Sequence, residues 1–328
     1  MTKILKQNAL LPKLPAKANS ASNARKISFR TEDYRSWSDY FANRPSRHPT
    51  IDGVLTLPPG NGRVPAVVVM HGGTGITAAE TDAVKHLVSA GFAAFLVDRG
   101  TGRGLFLGPD HPLRIHIASQ LADGMNALRA LAKQARIDPA RIGMLGFSQG
   151  GEITLALESK ALEGPYAAQG QHYAAFAGVY PVCLLTSEGA GTSTDAPTLL
   201  QVGGKDKVAT AANCRAVVVL RQQTKTESNI RIVEYPDAEH GWADSDIQGS
   251  AYANRMPVLT DCPIIAVNAS HDFFTYAGGK LDPVDRDVYL PPVFRQCMGR
   301  GVPVEYSAQT ATRSTAAWLD FFKANLKH

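Results

Sequence analysis

Apolar residues in this chain fall into two alternating kinds of segment. Short unbroken runs such as Val64-Pro65-Ala66-Val67-Val68-Val69-Met70 end in turn residues, and their length suits strands buried on both faces. Between them lie longer stretches of helical composition. The pattern predicts strands near 51–57, 64–70, 92–98, 141–147, 174–180, 197–202 and 230–235. It predicts helices near 78–90, 115–134, 150–161, 209–223 and 312–326. Parallel neighbours need a crossover, and crossovers lay helices against the sheet. The expected architecture is therefore α/β, with a mostly parallel central sheet and helices on both faces. In the last run Ile230, Ile232 and Glu234 alternate with Arg231, Val233 and Tyr235, as in a strand near a sheet edge. The alternation lapses at about 243–302, where Pro257, Pro263, Pro283, Pro291 and Pro292 interrupt the pattern. That excursion is expected to be irregular, either packing over or beside the ligand pocket or covering an edge strand.

Reactive side chains cluster where these strands should end. Ser148 lies in Gly146-Phe147-Ser148-Gln149-Gly150, at the seam between the run Arg141–Leu145 and a helical stretch beginning at Gly151. Glycines two residues away on each side suit a turn too sharp for side chains there, one that lifts the serine oxygen clear of the sheet beside a helix N-terminus. A serine hydroxyl attacks only when a neighbouring base takes its proton, and the base needs a carboxylate to fix its tautomer. Asp206 follows the run Thr198–Val202 and the break Gly203-Gly204, although it could instead cap the helix after it. His240 follows the 230–235 strand beyond Pro236, and His271 is the other histidine placed after an acid and a strand. The loop His71-Gly72-Gly73-Thr74-Gly75 closes the most strand-like run. Its glycines allow close backbone approach, so the N–H groups of Gly73 and Gln149 are the candidate donors to an oxyanion. A phosphate-binding loop fits less well, because no Gly-Lys-Ser/Thr follows. His71 reads as a positioning residue.

With these segments in place, the chain resembles the dienelactone hydrolase family of α/β-hydrolases, from about Ile27 to Leu326. Val69-Met70-His71-Gly72-Gly73, Leu96-Val97-Asp98-Arg99 through Arg103-Gly104, and Asp138-Pro139-Ala140-Arg141-Ile142 carry the likeness, with Tyr306–Thr312 before the last helix. The order nucleophile, acid, base along the chain is also that of the α/β-hydrolases. The resemblance implies a single-domain hydrolase of carboxylic esters or lactones needing neither metal nor organic cofactor. It implies Ser148 as nucleophile, Asp206 as acid, His240 as base, and Gly73 and Gln149 as oxyanion donors. It also makes Arg103 a candidate contact for a substrate carboxylate, against a surface salt bridge as the plainer reading; Trp242, just past His240, is a second candidate substrate contact. The family's namesake enzymes carry cysteine at the nucleophile. Serine here favours a general esterase over a dienelactone substrate. A peptidase of the prolyl-peptidase type and a non-catalytic binding protein on the same scaffold are the alternatives.

Charge and cysteine content refine the picture. The net charge of +5 comes from seven basic residues before Glu32, whose removal leaves −2 over residues 32–328. The basicity belongs to a tail, so no nucleic-acid partner is expected. Residues 1–26 are expected to be disordered, and 27–328 to form one domain. The longest apolar run in the tail is Ala9-Leu10-Leu11, too short for the core of a signal peptide, and no stretch has the length of a membrane span. A cytoplasmic location follows from that. An even count of cysteines (Cys183, Cys214, Cys262 and Cys297) points instead to disulfides and a periplasmic or secreted protein, with three pairings open and Cys183–Cys214 the one favoured.

Overall fold

The computed structural model describes residues 23–108, 114–226, 229–260, 262–288 and 292–327. Its strands are, in chain order, β1 (Ala24–Arg30), β2 (Thr50–Thr56), β3 (Val64–Met70), β4 (Ala93–Asp98), β5 (Ile137–Phe147), β6 (Ala175–Val179), β7 (Leu185–Ser187), β8 (Thr198–Gly203), β9 (Ile230–Tyr235), β10 (Ser250–Val258), β11 (Ile264–Val267), β12 (Phe273–Ala277), β13 (Lys280–Val284) and β14 (Gly299–Glu305). The helices are α1 (Trp37–Phe41), α2 (Ala78–Ser89), α3 (Ile117–Ala132), α4 (Gln149–Leu157), α5 (Lys160–Glu163), α6 (Ala211–Gln223), α7 (Phe294–Cys297) and α8 (Ala308–Leu326). Eight strands form the central sheet in the order β1-β2-β4-β3-β5-β6-β8-β9, parallel from β4 to β9, with β1 and β2 antiparallel at one edge.

Period two decides which helix each strand residue meets. On β3, Ala66, Val68 and Met70 join the cluster formed with α3 and α4, whereas Val67 and Val69 join the one formed with α2 and α8. On β8, Leu199 faces α8 while Leu200 and Val202 face α6. Every residue of β6 and β8 is buried, which is why these strands do not alternate apolar with exposed polar positions; the polar Gln201 of β8 is bonded to Ser314 O and Tyr235. Burying each such Val, Leu or Phe contributes about 1.5–3 kcal/mol before entropy is subtracted. None of the helices among the described residues is long and apolar enough to cross a membrane.

Two expectations need correction. Strand β1 begins at Ala24 and pairs with β2 along its length, so Ala24–Lys26 belong to the sheet and not to the tail, whose residues 1–22 lie outside the described residues. The excursion, expected to be irregular, carries β10 to β13. β10 pairs with β14, and β13-β12-β11 extend a second sheet from β7. Proline concealed this, but Pro283 sits on the edge strand β13, and Pro257 lies at a register break of the two-stranded β10–β14 ribbon, sites where a missing N–H does little harm.

The sheet register sets up the site. Met70 pairs with Gly146, Phe147 with Val179, Val179 with Gln201, and Gly203 with Tyr235. The residues following these ends, His71, Ser148, Tyr180, Asp206 and His240, therefore emerge along one edge, the carboxyl edge at which open α/β sheets hold their ligands.

Candidate active site

Ser148 occupies the turn from β5 into α4 with φ 52° and ψ −114°, a conformation costly for any residue with a Cβ. The backbone around it explains the flanking glycines. A Cβ on Gly146 would collide with the carbonyl of Gly150, and one on Gly150 with the carbonyl of Met70 on β3. The turn is held by Ser148 N–H donating to Val179 O at 3.0 Å and by Glu152 N–H donating to Ser148 O at 3.0 Å.

A continuous hydrogen-bonded relay leads from the half-buried Ser148 to a buried carboxylate. Ser148 Oγ lies 2.9 Å from His240 Nε2, and His240 Nδ1 lies 2.7 Å from Asp206 Oδ2. An ionised carboxylate only accepts, so the imidazole proton sits on Nδ1 and leaves Nε2 free to accept from the serine hydroxyl. The other oxygen of Asp206 accepts the N–H groups of Val208 and Ala209, both at 2.8 Å, so the carboxylate is oriented by backbone. The alternative that Asp206 caps the following helix does not hold: Thr210 caps α6, while Asp206 holds the turn before it with one oxygen and faces His240 with the other.

Backbone donors stand beside the serine. The loop after β3 approaches so closely that a Cβ on Gly72 would lie 3.5 Å from Ser148 Cβ, and one on Gly73 would lie 3.6 Å from Gln149 Oε1. As first residue of α4, Gln149 has an N–H without an intrahelical acceptor. Gly72 O is bound by His71 Nδ1 at 2.6 Å, by Gly75 N–H at 3.3 Å and by Arg99 Nη2 at 3.4 Å. In a trans peptide the N–H points opposite to the C=O, so Gly73 N–H is turned away from that cluster. His71 Nε2 accepts Arg99 N–H at 3.2 Å, which puts the ring proton on Nδ1, facing Gly72 O. Burial, with the Arg99 charge adding to it, holds His71 well below the usual histidine range and keeps it neutral. It is a loop brace, not a base.

This elbow, relay and glycine loop occur within a stretch of sequence that can be assigned. The dienelactone hydrolase family profile matches residues 51–256. The chain belongs to the dienelactone hydrolase family. It is thus a hydrolase of the α/β-hydrolase type. Among the solved structures that share its fold are two that it covers almost throughout. One, named m3DLH, has 16% identity and a TM-score of 0.52, covering 93% of this chain and 99% of its own. The other, a dienelactone hydrolase-like promiscuous phosphotriesterase P91 from metagenomic libraries, has 15% identity and a TM-score of 0.51, covering 92% and 98%. No curated protein matches the chain.

In this family member, two residues expected near the substrate lie elsewhere. Arg103 is neither a free substrate contact nor a surface salt bridge. Its fully buried guanidinium donates to Asp33 Oδ1 at 2.8 Å and to both oxygens of Asp123 at 3.0 and 2.8 Å. Trp242 is also fully buried, edge-on to Tyr180 at 4.7 Å and against Tyr235 at 5.5 Å, behind the rim instead of lining it. His271, the other candidate base, stacks on Phe41 at 4.0 Å and takes no part in the relay.

Of the features around the rim, the disulfides were expected from the even cysteine count, with Cys183–Cys214 the favoured pairing, and the others went unread in the sequence. Tyr180 follows β6 with φ 40°, and its ring lies 4.9 Å from that of His240. A left-handed tyrosine before a proline leaves no sequence signal. The segment behind it is tied down by the Cys183–Cys214 disulfide and by Glu152, which accepts Leu184 N–H at 3.1 and 3.0 Å and which burial pushes up to about 7. The second disulfide joins Cys262 to Cys297, inside the excursion. The excursion and the strand β14 that closes it also grip the site loops from outside: Glu305 N–H, at the end of β14, donates to His240 O at 3.1 Å, and Leu259 N–H to Lys207 O at 2.9 Å.

Proposed function

We propose that this hydrolase cleaves small carboxylic esters or lactones through an acyl-enzyme on Ser148. The observation that supports the reading is the relay Asp206–His240–Ser148, with the glycine loop after β3 packed against Ser148 and Gln149. In the first half-reaction Ser148 Oγ attacks the carbonyl carbon while its proton passes to His240 Nε2. The carbonyl oxygen becomes an oxyanion within reach of the two N–H groups, whose fixed orientation stabilises it without reorganisation. Collapse expels the alcohol, which takes the proton from His240. Water then repeats the sequence on the acyl-enzyme, with His240 as base, and releases the acid. Asp206 keeps the imidazole in the Nδ1–H tautomer and stabilises it when charged. Each step uses only groups of the chain and water. The two disulfides suit folding in an oxidising compartment.

The experiment is a chromogenic ester panel of graded acyl length on wild type and Ser148→Ala, with fluorophosphonate labelling alongside. Ser148→Ala is expected to lose at least ~10⁴-fold in kcat and all labelling while its melting temperature stays near wild type. A variant that kept wild-type turnover would remove Ser148 from the reaction.

A further inference from the structure

We propose that Glu80, one turn into α2, is a positioning residue for the Gly73 oxyanion donor; the proposal rests on the esterase reading above. Glu80 stands at the third helical position of α2, where its carboxylate completes a capping box with Thr77. Oε2 accepts Thr77 N–H at 2.8 Å and the Thr77 hydroxyl at 2.9 Å. A cap needs no more than that, and an exposed carboxylate would serve. This one is 2% exposed, and its second oxygen leaves the helix to accept Gly72 N–H at 3.2 Å.

That second bond fixes the glycine loop from the side opposite its other anchors. Arg99 Nη2 donates to His71 O, and His71 and Gly75 hold Gly72 O. Glu80 thus supplies the acceptor for Gly72 N–H, while the carbonyl of the same residue is held by donors. With both ends of Gly72 pinned, the peptide joining it to Gly73 cannot rotate, and the Gly73 N–H keeps its direction. Glycines at 72 and 73 would otherwise leave this peptide among the freest in the chain. Burial pushes Glu80 up to about 7, against the pull of its hydrogen bonds, so the carboxylate is held there at a cost that a cap alone does not explain.

Glu80→Gln separates the two roles. A glutamine side chain offers one carbonyl oxygen, and the shorter contacts at Thr77 claim it, which turns the amide NH₂ toward Gly72 N–H, donor against donor. Thr77→Ala is the matched control, weakening the cap while leaving Glu80 on Gly72. In the full chain, Glu80→Gln is expected to lower kcat for a 4-nitrophenyl ester about 10- to 100-fold, part of the ~10²–10³ that a whole oxyanion donor supplies. KM is expected to stay within about threefold, and inhibition by a boronic acid to weaken in proportion to kcat/KM. Thr77→Ala is expected to lower the melting temperature with kcat per folded molecule retained. Should Glu80→Gln not fold, Glu80→Asp keeps the charge and withdraws it from Gly72 by one methylene, and the same loss of kcat is expected. Turnover equal to that of Thr77→Ala, in whichever variant folds, overturns the proposal and leaves the esterase reading standing. A wild-type protein with no ester hydrolysis dependent on Ser148 sinks both.

Discussion

Two buried aspartates show how differently one sheet edge can use the same chemistry. Asp123 meets Arg103 with both oxygens and also accepts the Thr31 hydroxyl at 2.8 Å, and Arg103 turns its remaining side to Asp33. Every strong donor and acceptor there has a partner that cannot leave. Asp206 is equally buried and equally well bonded, but its partner is an imidazole whose far nitrogen reaches a half-buried hydroxyl. The first network ends within the protein, and the second ends where a substrate can approach. Burial and bonding are common to both, so under the proposed function neither distinguishes a reactive carboxylate from a structural one. The open end does.

The largest effect that would test this contrast is at Asp206. In Asp206→Asn the amide oxygen stays with the N–H groups of Val208 and Ala209, which turns NH₂ toward His240 Nδ1 and drives the ring proton to Nε2. Nε2 can then donate to Ser148 Oγ but no longer take its proton, and kcat is expected to fall about 10⁴-fold, read by ester hydrolysis with circular dichroism unchanged. The reverse is expected at the closed network. Arg103→Met strands the buried Asp123 carboxylate, while Asp33 keeps Arg47 on its other oxygen, and is expected to cost roughly 3–5 kcal/mol of stability, measured in urea, with kcat/KM per folded molecule within about threefold. A selective rise in KM for carboxylate-bearing esters would instead return Arg103 to the substrate. The smallest effect concerns Glu152, which has no cation beside it, only N–H groups. Its folded-state pKa is raised from 4.5 to about 7, so the folded protein binds this proton more tightly than the unfolded chain. That contribution is present below the unfolded value and is lost as pH rises toward 7. Wild-type stability relative to Glu152→Gln is expected to decline by up to about 3 kcal/mol between pH 4.5 and 8. A gap that does not vary with pH would show that the carboxyl is not titrating in that window.

Much of the site was legible because its geometry leaves a mark on neighbouring residues. Gly146 is required by a backbone collision with Gly150, which acts within five residues, and Gly150 by the close approach of Met70 O on the neighbouring strand β3. Asp206 and His240 were legible because each follows an apolar run that stops at a glycine pair or a proline. Arg103 and Trp242 were misplaced because a basic or aromatic residue near a strand end looks alike whether it faces solvent or core. Arg103 met its acids from Asp33 and Asp123, 70 and 20 positions away. Glu80 went unread in the sequence, since its second bond reaches back across a loop to Gly72 and has no spacing rule. The excursion hid its strands because proline forbids a ladder bond only where the N–H faces a partner, and the sequence does not say which side that is.

What the amino-acid order settled here is local: the strand and helix periods, the sharp turn at Ser148, and the glycine loop that can lie against it. These follow from sterics and hydrophobic spacing over a few residues, and they suffice for the α/β class and the family. The tertiary structure decided which charges are spent on one another and which remain open, that Tyr180 backs His240, and that Glu80 serves two elements at once. Such outcomes depend on which side chains lose water together. Burial is a property of the assembled sheet and helices, and no short window of the chain contains it.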